Sequence, residues 1–316
     1  MEEITFVPVT LNYTRTLEGE SFPNELTGAD KVKESLGRIV KAVEIFAMNF
    51  GTINMDFYEP IRISEEVAAA MKINPKLDPF KNKADRLKLN NDLGYKIVFI
   101  LQDHIRIMPP VLLASILLQY RKGISEDKLL QKISWLGMAL TRRGAIVTND
   151  GGLPNESTLK LGLKHLNDYI VKKRNFYMPK VVGNDYQNYM MLGYYRNPLN
   201  FVFFNEALIV CSVFSFGNES AWTKGVSVEE LFKKTCYLSE LLKREEVIKN
   251  RFTPSNRAYF NQVVDFMESQ RLVTSKEGYL TLKSTGEGLL LMMGSIVWPM
   301  IDTYYVVLLY TLTLVK

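Results

Sequence analysis

Apolar and polar positions follow two rhythms along this chain, and the change of rhythm divides it. Ile4, Phe6, Val7, Val9 and Leu11 form a nearly continuous apolar run that reads as a strand. Polar sequence follows, from Thr14 to about Ala29. Asp30 then stands as a cap before Leu36, Ile39, Val40, Val43, Phe46 and Ala47, which lie along one face of a helix. Gly51 takes the place of a helix C-cap, and "TINMDFY" alternates like a strand, with Pro60 near its end. Strand, helix, strand predicts a βαβ unit with parallel strands. A two-stranded parallel sheet does not stand alone, because parallel sheets are built from several strands covered on both faces. The remaining strands are therefore expected upstream of Met1. Pro8 marks an edge, a bulge or a neighbouring site, since proline cannot donate to a ladder.

Lys72 to Asn91 is polar with two prolines and reads as a linker. From Asp92 onward the rhythm is helical. "GYKIVFILQDHIRI" leads to Pro109-Pro110 and "VLLASILLQYRKG". Ser125, with acids behind it, opens a helix to Leu140, and another is expected from Ser157 to Val171. One or two more lie around Pro198. Ser227 and Glu230 form a capping-box pattern before a helix to about Lys243, and Asn256 to Gln270 is another helix. The division is thus 1–71 as the end of an α/β domain, 72–91 as linker and 92–316 as a helical domain. The fold class is α+β, mostly helical.

Two places pair a helix with a short hairpin, "LTRRGAIVTNDG" and "SQRLVTSKEGYLTLKST", the latter with a Glu277-Gly278 turn. Helix plus hairpin suggests a winged-helix module. Arg271, Lys276 and Lys283 are too sparse for a nucleic-acid face, so packing is the expected role and no nucleic-acid partner is expected. Leu289 to Val315 is long and apolar, but Pro299 and Asp302 fall near its middle. A mid-membrane carboxylate is costly, so the segment reads as two buried helices meeting at "WP".

Composition changes this picture little. The chain has 316 residues, 47% hydrophobic and 23% charged, which is globular. A net charge of +5 permits an acidic membrane surface or a phosphorylated substrate and demands neither. Cys211 and Cys236 form neither a metal pair nor a disulfide framework, which points to a reducing compartment. "MEEITF" is acidic where a leader would be basic, so no signal peptide is expected. The two histidines each have a nearby acid, His104 beside Asp103 and His165 before Asp168, a pattern that is usually structural on helices. Glu65-Glu66 and Glu245-Glu246 read as solvated faces. "TGEGLLL" lacks the third glycine of a dinucleotide fingerprint, and no nucleophile elbow, phosphate loop or zinc cluster occurs. No metal and no catalytic residue is assigned.

Specific strings carry more. "FVPVTLNYTRTLEG", "NELTGADKVKESL" and "NFGTINMDFYEPIRI", then "LGYKIVFILQ", "PPVLLASILLQYRKGIS", "YYRNPLNFVFFNEALI" and "WPMIDTYYVVLLYTL", occur in this order over nearly the whole chain. Together they resemble the glycerol-phosphate and dihydroxyacetone-phosphate acyltransferases. The landmarks are Val7-Pro8-Val9 with Tyr13, then Lys33-Glu34-Ser35, then Glu59-Pro60. "KESLGRIVKAVEIFAMNFGTINMDF" looks most similar to the peroxisomal dihydroxyacetone-phosphate type, with the mitochondrial glycerol-3-phosphate type as the alternative.

The resemblance implies residues 1–71 as the end of an acyltransferase domain and 92–316 as the family's helical region. It implies transfer of an acyl chain from acyl-CoA, as co-substrate and without a cofactor, to a phosphorylated three-carbon acceptor at a membrane surface. It also implies a peroxisomal setting, with the mitochondrial outer membrane as alternative, and an ether-lipid pathway enzyme as a partner. Val7, Pro8 and Val9 are the implied substrate-binding positions. The family's base belongs to a His-x-x-x-x-Asp block. Pro109 and Ile170 stand five residues after His104 and His165, so this chain lacks the block and is expected to be inactive alone. "TLVK" is no Ser-Lys-Leu-type signal. A further alternative is a non-catalytic scaffold that pairs with a full-length acyltransferase.

Overall fold

The computed structural model describes residues 3–15, 28, 51–148, 155–181 and 186–314. The helix expected between Asp30 and Ala47 lies outside the described residues. The chain divides into two compact units, Met1–Pro198 and Leu199–Lys316. This division does not follow the expected borders at 71 and 91. The expected linker 72–91 is in part helix, for Lys83 onward belongs to the helix Lys83–Asp103.

The first unit opens with an antiparallel ribbon. Strand β1 (Thr5–Phe6) pairs β4 (Ile61–Arg62), and β2 (Val9–Tyr13) pairs β3 (Ile53–Phe57). The register runs from Val9↔Phe57 to Tyr13↔Ile53, so the expected parallel βαβ unit is corrected. A long connection permits a parallel return without enforcing one. Between the paired stretches, Val7 and Pro8 face Tyr58, Glu59 and Pro60, one residue more on the second strand. That is a β-bulge, placed where prolines on both strands remove N–H donors. One bond crosses it, from the Tyr58 N–H to the Pro8 carbonyl at 3.0 Å.

Helix α1 (Ile63–Ile73) leads to a turn held by Asp78, whose Oδ1 accepts from the N–H groups of Phe80 and Lys81. Asn82 Oδ1 then caps α2 (Lys83–Asp103) by accepting from the Ala84 N–H at 2.9 Å. Short β5 (Arg106–Ile107) follows and pairs in parallel with β7 (Ile146–Val147). The hairpin expected in "LTRRGAIVTNDG" lies in part outside the described residues; its described strand, β7, joins the distant β5.

The rest of the first unit is a module of fixed order. Buried α3 (Pro109–Gln119) is followed by β6 (Ile124–Ser125) and α4 (Glu126–Arg142), then α5 (Glu156–Leu166). Hairpin strands β8 (Ile170–Lys173) and β9 (Phe176–Pro179) and helix α6 (Gln187–Arg196) complete it. The sheet order is β6-β9-β8. The helix expected to reach Val171 stops at Leu166, and Ile170 begins a strand. Gly162 lets α5 approach α3, since a Cβ there would lie 3.2 Å from the Pro109 carbonyl oxygen.

The second unit repeats that order. Helix α7 (Pro198–Phe214) precedes β10 (Val226–Ser227), α8 (Val228–Leu241), α9 (Arg257–Ser269) and the hairpin β11 (Val273–Lys276) and β12 (Tyr279–Leu282). Its sheet order, β10-β12-β11, matches the first. Both modules have the helix–strand–helix–helix–hairpin topology of a winged helix, so the second expected helix-plus-hairpin is found with its Glu277-Gly278 turn. The expected capping box at Ser227 is not: Ser227 is the N-cap but its side chain makes no cap hydrogen bond. The Val228 N–H donates instead to the Gly278 carbonyl of the hairpin at 2.9 Å.

The last helix, α10 (Glu287–Leu314), runs unbroken through Pro299. The expectation of two buried helices meeting at "WP" is corrected. Only the part up to Val297 is buried, including Leu290, Met293 and Val297. Gly294 permits close packing on α7, and the Cys211 thiol donates to its carbonyl at 3.5 Å.

Candidate functional site

The ribbon is built inside out. Alternation puts Thr10 and Asn12 of β2 and Asn54 and Asp56 of β3 on one face. That polar face packs against the residues that follow α2. Arg106 grips Asp56 bidentately, with Nε donating to Oδ2 and Nη2 to Oδ1, each at 2.6 Å. The bonds from Arg106 hold the Asp56 carboxyl below the usual carboxylate range. The Arg106 N–H also donates to Asn12 Oδ1 at 3.3 Å, and Asn54 Nδ2 reaches Met108 Sδ at 3.5 Å. Tyr58 shares a hydrogen bond with Thr10 at 3.0 Å and lies against the His104 ring, centroids 4.3 Å apart.

The opposite face carries Leu11, Tyr13, Ile53, Met55 and Phe57, all exposed, Phe57 by 67%. Of the three expected substrate-binding residues, Val7 is exposed, Pro8 is buried in the bulge and Val9 is half-buried at the start of β2. These consecutive residues lie at and beside the bulge between the two paired stretches of the ribbon.

The two histidines have other occupations. His104 ends α2, and its Nδ1–H donates to the Ile100 carbonyl at 2.8 Å. His165 is buried in α5 against Gly51 and Thr14. A Cβ on Gly51 would stand 2.7 Å from His165 Cε1, and Gly51 has φ +76°, so glycine is required there twice over. Burial, with the charges of Lys164 and Arg15, pushes the His165 pKa down. Asp168 turns away to Arg15, at 3.0 Å. Among the described residues neither histidine is hydrogen-bonded to a carboxylate, and no three His, Cys, Asp or Glu side chains gather as a metal requires.

The sequence reading missed a polar seam in the second unit. Helix α7 is apolar except for Asn200, Asn205, Glu206 and Ser212, all buried. Asn200 Nδ2 donates to Glu246 Oε1 at 2.8 Å, and Asn205 Nδ2 to Tyr259 Oη at 2.9 Å. Burial raises the Glu246 pKa. Polar residues interrupting an apolar helix were the available signal. The Tyr304 hydroxyl donates to Glu245 Oε1 at 2.7 Å, which ties α10 to the same stretch just past its buried part.

Residues 23–316 match the family described as the glycerol-3-phosphate acyltransferase C-terminal region. This chain belongs to that family. It is 26% identical to the dihydroxyacetone phosphate acyltransferase of Mus musculus over 97% of this chain and 46% of that protein. The Homo sapiens protein of the same name is 24% identical over the same shares. A glycerol-3-phosphate acyltransferase of Pseudomonas fluorescens (strain Pf0-1) is 28% identical over 88% of this chain and 32% of that protein. The chain thus spans less than half the length of these acyltransferase relatives.

Proposed function

We propose that this chain is the C-terminal scaffold of an O-acyltransferase that moves an acyl chain from acyl-CoA to the hydroxyl of dihydroxyacetone phosphate. The apolar face of the ribbon, left exposed by the described residues, carries the proposal. A sheet face this apolar is ordinarily covered, and among the described residues it is the polar face that packs on the rest of the chain. An acyltransferase domain holding the His-x-x-x-x-Asp block is the cover that family membership supports. In that assembly Val7, Pro8 and Val9 lie at the seam with the catalytic domain and line the substrate path. The acceptor is dihydroxyacetone phosphate, with glycerol 3-phosphate as the alternative, and the setting is a peroxisomal membrane surface shared with an ether-lipid enzyme. If the catalytic domain is a separate polypeptide, the same face makes this chain its non-catalytic partner.

Acyl transfer from acyl-CoA to both acceptors tests this. The chain alone is expected to turn over neither. Fusion to, or mixing with, an acyltransferase domain carrying the histidine block restores transfer, and Met55→Asp on the bare face prevents the restoration. Transfer by the chain alone that disappears in His104→Ala or His165→Ala contradicts the proposal.

A further inference from the structure

Helix α10 outruns the unit that anchors it. Up to Val297 one face of it is buried, with Leu290, Met293 and Val297, and beyond Trp298 no described residue is. Tyr305, Val306, Val307, Leu308, Leu309 and Tyr310 are each 45–65% exposed. At 100° per residue, four consecutive exposed apolar residues already point to every side of a helix. A protein groove or a second copy would cover one stripe and leave the others wet, and an interfacial helix would carry a polar face. A medium that is apolar all round suits this segment.

Its polar atoms are arranged for such a medium. The hydroxyls of Thr303, Thr311 and Thr313 donate to the carbonyls of Pro299, Val307 and Tyr310, at 2.8, 2.8 and 2.6 Å. They need no water. Asp302 is the single charge between Trp298 and Leu314. It lies with Trp298, Tyr304 and Tyr305 near the start of the exposed part, the level at which aromatic side chains meet lipid headgroups. The nine residues Val306–Leu314 alone measure about 13 Å at the helical rise, enough to reach well into a bilayer core of about 30 Å. Pro299 and Asp302, which argue against a spanning helix, then stand at the membrane surface.

We propose that Val306–Leu314 inserts into the hydrocarbon of a lipid bilayer, with Trp298 to Tyr305 at the headgroups. This deepens the membrane-surface part of the function above. It does not depend on acyl transfer, because the test reads lipid binding alone.

The full chain is floated with vesicles of neutral phosphatidylcholine, so that surface lysines contribute little. Leu308→Asp and Leu312→Asp alter exposed side chains and leave the buried part of α10 intact. The unchanged chain is expected to float, and either variant to bind about tenfold less or weaker, from the cost of a carboxylate in hydrocarbon. In a Leu309→Trp variant, lipids brominated on their acyl chains quench the new tryptophan. Failure of the unchanged chain to float, equal binding by the aspartate variants, or absence of quenching overturns the proposal. So does self-association through this helix that vesicles do not relieve. A chain that inserts yet supports no acyl transfer with any catalytic domain upholds this inference and defeats the function above.

Discussion

Gly123, Ile124 and Ser125 lead into the second helix of the first module, and Gly225, Val226 and Ser227 do the same in the second. Both glycines have positive φ, 113° and 85°, and acids follow in both first turns. In both, the helix N1 amide donates to a carbonyl at the hairpin turn, Glu126 to Asn175 at 3.3 Å and Val228 to Gly278 at 2.9 Å. In both, the residue after the second hairpin strand closes back on the first, Lys180 to Tyr169 and Lys283 to Leu272, each at 2.8 Å. One physical solution is used twice: a hairpin carbonyl replaces the missing side-chain cap and locks helix to sheet. The modules differ on the outside. Exposed Lys160, Lys164 and Arg174 of the first correspond to Asn261, Asp265 and Glu277 of the second. They differ most in the closing helix. Helix α6 stops at Arg196, whereas α10 continues far beyond its buried part. The shared frame holds each module together, and the departures from it are where function is to be sought.

The largest effects should come from the shared core. Leu129 and Leu231 occupy matching, fully buried positions early in the second helices. Leu129→Ala and Leu231→Ala should each cost about 2–5 kcal/mol in urea unfolding. A cost near zero in either would show that the two cores are not built alike. Next come the loop glycines. Gly123→Ala and Gly225→Ala should each cost about 1–2 kcal/mol through positive φ. Gly225 should cost more: its added Cβ meets the Cβ of Tyr279 at 3.1 Å, whereas Gly123 meets the flexible end of Met178 at 3.1 Å. The reverse order would place the strain elsewhere.

Much of this frame is legible in the sequence, for local reasons. Ser125, Ser227 and Asn256 announce helices, and Glu277-Gly278 announces a two-residue turn. The matching hairpin at Arg174-Asn175 is hidden, because no glycine marks it and Arg174 takes φ 54°. Strand direction is not legible, because alternation shows which residues share a face, not which way a partner runs or which face is covered. The Arg106–Asp56 grip joins residues far apart in the chain, beyond any local pattern. The unbroken course through Pro299 departs from the expected break because the residues beyond it are exposed, not buried.

Smaller effects are expected with pH, and they run in opposite directions in the two units. Lys172 and Tyr177 hold the Glu126 carboxyl below its usual range, and Lys172 itself is raised to about 12. A depressed carboxylate contributes stability above its unfolded pKa and loses it as pH falls through the folded one. Glu246 is raised by burial, so stability declines as pH rises from the ordinary glutamate range through its folded pKa. Thermal unfolding across pH should therefore show Glu126→Gln flattening the acid-side loss and Glu246→Gln removing the decline on the other side. The same slope change in both variants would contradict these environments.

The difference in closing helices is measured most directly by hydrogen exchange on the full chain, with and without neutral phosphatidylcholine vesicles. Slower exchange of the Val306–Leu314 amides is expected when lipid is present, with Gln187–Arg196 unchanged. Equal slowing of both helices, or none in Val306–Leu314, would contradict it.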